Sequence, residues 1–175
     1  MHDTKRTANL LGATALAVTD TALGGPVRVS GLSNSGAAAV VVLSASGELS
    51  VTELGRRVGL SQSAAVRMVD GLQAGGLVER RSGLGRSVLV RLSTSGTDTA
   101  RDLLQARGAP LTELVSTLSP SQQETLSKLL AKLLTGIYEH IGDAEKICRM
   151  CDRASCVRNA ACPVGEAERQ DRAPG

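Results

Sequence analysis

Four cysteines carry the most specific chemistry in the chain, spaced as Cys148-x2-Cys151-x4-Cys156-x5-Cys162 and followed by Pro163. Four soft thiolate donors so close together suit a closed tetrahedral Zn²⁺ site or an iron–sulfur cluster, and the spacing alone does not choose between them. In a reducing compartment such clustering favours metal over disulfides. The surrounding stretch, residues 143–175, has almost no apolar residues to order a loop. It reads as a separate Cys-rich metal-binding tail in which metal supplies the organisation.

A second concentration of chemistry is arginine. Residues 48–93 hold Arg56, Arg57, Arg67, Arg80, Arg81, Arg86 and Arg91 against Glu48, Glu53, Asp70 and Glu79, a net +3 that equals the formal charge of the whole chain. The segments on either side, and the tail, are close to neutral. Guanidinium groups without lysine are suited to forked hydrogen bonding with phosphates and guanine edges. Nothing comparable points to catalysis. The only histidines are His2 and His140, there is no His-Glu pair of a zinc hydrolase and no nucleophile elbow, and Gly83-Leu-Gly85 lacks the third glycine of a dinucleotide fingerprint. The chain is therefore expected not to be an enzyme. Tyr138 is its only aromatic residue, so base stacking of the kind used by single-strand binders has nothing to carry it. The longest uninterrupted apolar run, Ala37 to Leu43, is too short for a membrane span, and the stretch after Lys5 and Arg6 is broken by polar residues, so a cytoplasmic protein without a membrane partner is expected.

The elements that must position these groups follow from periodicity. Leu10, Leu11, Ala15, Val18, Ala22 and Leu23 have helical spacing, with Gly24-Gly25-Pro26 as the expected stop. Ser33-Asn34-Ser35 precedes a buried helix or strand over Ala37 to Leu43. Ser50-Val-Thr-Glu53 reads as a capping box opening a helix that buries Leu54 and Val58 and ends at Gly59. Ser61 then caps a helix reaching Gly75-Gly76, so that two short helices flank a glycine-containing turn. Leu77 to Arg81 and Ser87 to Leu92 alternate as a hairpin with a basic tip. A helical pattern from Leu103 to Leu118 carries a break or kink at Gly108 and Pro110. Ser119-Pro120-Ser121-Gln122 opens a last long helix, whose leucine and isoleucine stripe from Leu126 to Ile141 is too wide for one small neighbour. A partner subunit would cover it.

The run from Ser50 to Arg80, with the hairpin closing at Val90-Arg-Leu-Ser-Thr-Ser-Gly96, resembles the winged helix-turn-helix of MarR-family regulators, and with the flanking helices the resemblance extends over roughly residues 7 to 142. It implies a mainly α fold with a small β-wing. The organisation is then an N-terminal dimerisation helix (1–34), a winged helix-turn-helix DNA-binding domain (35–97), C-terminal dimerisation helices (98–142) and the tail (143–175). The resemblance also implies a homodimer on a palindromic double-stranded DNA operator, acting as a repressor, with a small-molecule effector as a further partner. Ser61, Gln62, Ser63, Ala64 and Arg67 fall where family members face the major groove. Gln and Arg can read adenine and guanine edges, while Ser is suited to positioning on phosphate. Arg80 and Arg81 lie on the strand leading to the wing, and Arg86 falls at the wing-tip arginine that enters the minor groove. Two residues earlier, where the family usually has Asp, this chain has Leu84. In the tail, the Cys-x5-Cys-Pro ending resembles iron–sulfur regulators of the redox-sensing MerR class. On that likeness an iron–sulfur cluster is preferred over Zn²⁺, the cluster being a redox or iron sensor and zinc a structural ion.

Overall fold

The structure is a computed structural model that describes residues 3–83 and 88–173. Helix α1 (Thr4–Thr19) is capped by Asp3, whose carboxylate accepts from the amide of Lys5. The expected stop at Gly24-Gly25-Pro26 does not occur. A single wide turn of π-helix, Asp20–Gly24, passes directly into α2 (Gly25–Ser30), which ends at Gly31 with φ 69°. The widened turn places Pro26 in the first turn of a new α segment, where its missing N–H costs nothing. The resulting helical stretch, Thr4–Ser30, has 27 residues and a mean hydropathy of 1.2 in its most apolar window, which by length and composition alone is enough to cross a membrane; only 12% of that window is buried.

Helix α3 (Asn34–Ser46) resolves the helix-or-strand alternative. Ser33 caps it through its hydroxyl, and every residue from Gly36 to Leu43 is buried. A helix apolar on all sides must be enclosed, and α3 is the axis around which the winged domain is assembled. Helix α4 (Val51–Val58) inserts Leu54 and Val58 into this core; α5 (Gln62–Ala74) inserts Ala65, Val69 and Leu72; the sheet contributes Val78 and Val90. The hydroxyl of Ser50 accepts the Glu53 amide as expected, but the Glu53 carboxylate turns to Arg56 and Arg57 instead of back to the cap, so the capping box is half made. Gly59, at φ 75°, makes the turn from α4 towards α5.

The hairpin pairs β2 (Val78–Ser82) with β3 (Val88–Leu92) in the register Arg80↔Val90, and a short strand that the sequence pattern did not reveal, β1 (Leu49–Ser50), adds to β3 on its other side. Helix α6 (Thr94–Ser116) runs through Gly108 and Pro110 as one element, so of the expected break or kink the break does not occur. The residue whose carbonyl loses its partner to Pro110, Ala106, is exposed, so water can replace the missing bond. Helix α7 (Pro120–Ile141) begins with a complete capping box between Ser119 and Gln122. Along it Leu129, Leu130, Leu133, Ile137 and Ile141 are all more than two-fifths exposed.

The tail is not the loop expected from its composition. It folds into α8 (Ala144–Cys148), α9 (Arg153–Cys156) and α10 (Pro163–Asp171). Its apolar support is borrowed: Tyr138 and Leu134 on α7 pack with Ala144, Ile147, Val164 and Ala167 in a small second core. The Tyr138 hydroxyl lies 3.3 Å from Oδ2 of Asp171 as donor.

Candidate nucleic-acid interface and cysteine site

On α5 the buried residues Ala65, Val69 and Leu72 recur at helical spacing and fix which face is left outside. That outer face begins with Ser61, Gln62 and Ser63, all exposed, and continues with Val66 and Arg67; Ala64 is half-buried at its edge. Ser61 already serves as the cap, accepting the Ala64 amide, and its hydroxyl is 3.5 Å from that of Ser63. Val66, 39% exposed, was not singled out by sequence reasoning. Its signal is an apolar residue out of phase with the buried stripe, and such a side chain can contact a thymine methyl.

Ion pairing sorts the arginines. Arg80 is tied to α5, donating to Gln73 at 2.6 Å and to Asp70 at 2.6 Å. Arg91 pairs across the hairpin with Glu79 at 2.7 Å, Arg56 pairs with Glu53 at 2.8 Å, and Arg57 pairs with Glu53 at 2.7 Å. Those two guanidinium groups hold the Glu53 carboxyl at about 2, well below its ordinary value. Among the described residues of the winged domain, Arg67 and Arg81 are the exposed arginines without a carboxylate partner, which leaves their donors for phosphate or base edges. Arg86 and Leu84 lie outside the described residues.

The four cysteines come together on one cavity. Cys148 ends α8, Cys151 follows a turn in which its amide donates to the Cys148 carbonyl at 2.9 Å, Cys156 ends α9, and Cys162 caps α10 by accepting the Gly165 amide on Sγ at 3.4 Å. All four line a cavity of about 50 Å³ whose opposite wall is Val41, Val42, Ala45 and Ser46 of α3. Burial pushes the Cys148 thiol up to about 12, and the neighbouring Cys162, Cys151 and Cys156 add to the effect. Burial, then Cys156, pushes Cys151 up to about 11. The sulfurs share the cavity without converging on one point: among the described residues no group of three or more Cys, His, Asp or Glu is gathered as closely as a metal ion requires. The donor set, four thiols beside a Glu145 carboxylate that is paired with Arg57, fits a soft metal.

This cavity is fastened to the winged domain at several points. Met150, between the first two cysteines, packs against the main core. Arg57 reaches Glu145 at 3.4 Å and Ser46 at 2.8 Å, and Arg56 lies 3.8 Å from Asp143.

Residues 30–86 match the model of the MarR family. No curated protein matches the chain. Among solved structures, a MarR family protein from Bacillus stearothermophilus superposes with a TM-score of 0.69 at 21% identity, covering 78% of this chain and 99% of its own. MepR, a transcription regulator of the Staphylococcus aureus multidrug efflux pump MepA, has a TM-score of 0.65 at 17% identity, covering 74% and 97%. A MarR-family transcriptional regulator from Silicibacter pomeroyi has a TM-score of 0.57 at 28% identity, covering 74% and 89%. A mainly helical chain with a small three-stranded antiparallel sheet, arranged in this order, has the MarR winged-helix fold.

Proposed function

We propose that this chain is a cytoplasmic, homodimeric DNA-binding transcriptional regulator that represses from a palindromic operator and whose affinity for DNA is set by the metal state of its cysteine tail. The observation that carries the DNA reading is the outer face of α5, where the exposed Gln62, Val66 and Arg67 side chains have no partner among the described residues, on a helix held by three buried residues. In this reading Gln62, Ala64, Val66 and Arg67 meet base edges, Ser61 and Ser63 position on phosphate, and Arg81 and Arg86 extend the contact along the wing. Arg80 acts indirectly, bracing the wing against α5. The exposed leucines of α1 and α7 support the dimer, since a face of that size would otherwise meet water; the same partner would cover the apolar Thr4–Ser30 stretch.

The metal reading is supported by the common cavity of Cys148, Cys151, Cys156 and Cys162. Those residues would hold an iron–sulfur cluster or, as the second candidate, Zn²⁺; a cluster supplies redox sensitivity and zinc a structural cross-link. Because Met150 packs on the core of the winged domain and the Arg57–Glu145 pair joins the tail to α4, a change at the cysteines is felt inside the domain that carries the recognition helix.

A gel shift of the full chain on its own upstream region at low salt tests the first half. No shift there would move the protein to a metal-binding interaction role. Metal analysis of protein purified without oxygen tests the second half: iron with acid-labile sulfide supports the cluster, zinc at about one per chain supports the structural ion, and either must be lost in Cys151→Ser and Cys162→Ser. A regulator answering to a small molecule, with purely structural zinc, is the alternative. The large open cavity between α6, α7 and the tail, walled by Leu104, Leu111, Val115 and Leu130, favours it.

A further inference from the structure

On α6 the face turned to the core is marked by Gly96, Ala100 and Leu103, all buried. One turn further along the same face stands Arg107, where the pattern calls for another apolar residue. Its guanidinium leaves the winged domain at the point where α6 meets the tail: it borders a cavity of about 1240 Å³ together with Cys151, Asp152, Ser155 and Cys156. Among the described residues its Nε is a fully buried side-chain nitrogen with no hydrogen-bond partner. A charged donor buried without a partner costs free energy, and one kept in a native structure calls for an explanation, of which a bound group that completes it is one.

The obvious carboxylate does not fill the gap. Asp152 stands on the same cavity, but its oxygens turn to Ser155, one accepting the backbone amide at 3.2 Å and the other the hydroxyl at 2.6 Å, and neither accepts from Arg107 Nε. The nearby arginines of the body are also committed, Arg57 to Glu53 and Glu145 and Arg101 to Asp98. Two of the four cysteines, Cys151 and Cys156, border the same cavity as Arg107.

We propose that Arg107 is a positioning residue of the cysteine site, its guanidinium pairing with the anionic thiolate–metal centre from the α6 side, with Nε donating to a sulfur on the Cys151–Cys156 edge. The inference rests on the metal reading above. Four thiolates around a dication, or around an oxidised four-iron cluster, leave a charge of about −2. A half-buried anion of that size needs a donor and a counter-charge, and outer-shell donors of this kind commonly change metal affinity by about 10–100-fold. The tail's own Arg149 and Arg153 also line the four-cysteine cavity but are exposed, whereas Arg107, on α6, is half-buried.

The test uses the full chain purified without oxygen, as the parent and as Arg107→Gln, Arg107→Ala and Arg107→Lys, each checked for fold by circular dichroism and for dimer by sedimentation. Metal retention is measured by competition with a chelator. Gln and Ala are expected to weaken retention by about 10–100-fold, with Lys recovering part of it because the charge returns without the fork. In iron-loaded protein, Arg107→Gln should move the reduction potential to more negative values, since loss of a cation disfavours the added electron; a side chain that only fills space would not do this. Unchanged retention and potential in Arg107→Gln, with the parent loaded and Cys151→Ser empty, overturn this assignment and leave the metal reading standing. A parent chain that binds neither iron nor zinc overturns both. If Gln and Ala do not fold, the Lys variant decides: retention equal to the parent's, with an unmoved potential, counts against the role.

Discussion

The contact between the two helices of the DNA-binding motif can be tested by adding one methyl group. Gly55 on α4 faces Ala65 on α5 so closely that a Cβ built on Gly55 would lie 2.5 Å from the Ala65 Cβ. Carbon atoms are comfortable at about 3.5–4.0 Å, so Gly55→Ala must part the helices by more than an ångström, at a place where both are buried. Overpacking of this kind costs about 1–3 kcal/mol, while replacing Gly by Ala inside a helix returns up to about 1 kcal/mol. The net expectation is a loss of about 0–3 kcal/mol. Gly71, on the exposed side of α5, has nothing within 4 Å of its Cβ position, so Gly71→Ala keeps the helical gain alone and should stabilise by up to about 1 kcal/mol. Identical chemistry is thus predicted to differ in sign, with the two variants about 1–3 kcal/mol apart in urea titrations. Because the contact sets the angle of the recognition helix, Gly55→Ala should also weaken operator binding in an anisotropy titration, and adding Ala65→Gly should recover both properties in part. If Gly55→Ala proves as stabilising as Gly71→Ala, the close approach of α4 and α5 described above is wrong.

Leu130→Glu or Leu133→Glu, on the exposed stripe of α7, should convert the dimer to monomer in sedimentation experiments; a parent chain that is itself a stable monomer would refute the dimer outright. Arg67→Ala should cost about 1–3 kcal/mol of operator affinity and relax base preference, whereas Arg86→Ala should weaken all sequences alike, as a competition series on mutated operators would report. The lowered pKa of Glu53 means that its pairing with Arg56 and Arg57 contributes above the ordinary carboxylate value and is lost as pH falls from about 4.5 to about 2. The parent should therefore lose its stability advantage over Glu53→Gln across that interval, and because the pair is partly exposed the advantage should be small and shrink with salt. An advantage that persists below pH 2 would contradict the assigned pairing.

Helix starts were legible because each depends on a local hydroxyl: Ser33, Ser50, Ser61 and Ser119 all cap where the sequence places them. The failures share a cause, since each depended on what lies outside the local window. Pro26 falls in the first turn after a widened one, and the carbonyl that Pro110 leaves unpaired faces solvent, neither of which a local pattern reveals. The tail looked too polar to fold because its apolar partners, Tyr138 and Leu134, belong to the preceding helix. Strand β1 has two residues and no pattern of its own. In the candidate site, the cysteines and Arg67 were legible by type and spacing. Val66 was hidden until the buried phase of α5 was known, and Arg107 until its donor was found without a partner.

Tyr138 is the chain's single aromatic side chain, and it sits where α7 receives the tail, its hydroxyl beside Asp171. With no tryptophan to mask it, all intrinsic ultraviolet emission arises at that seam. The protein thus contains a built-in, label-free reporter of whether the tail is docked: quenching, lifetime and anisotropy of one fluorophore follow one joint. Undocking by chelation, oxidation or mutation can be timed in a stopped-flow instrument on the unmodified chain, while the winged domain stays optically silent.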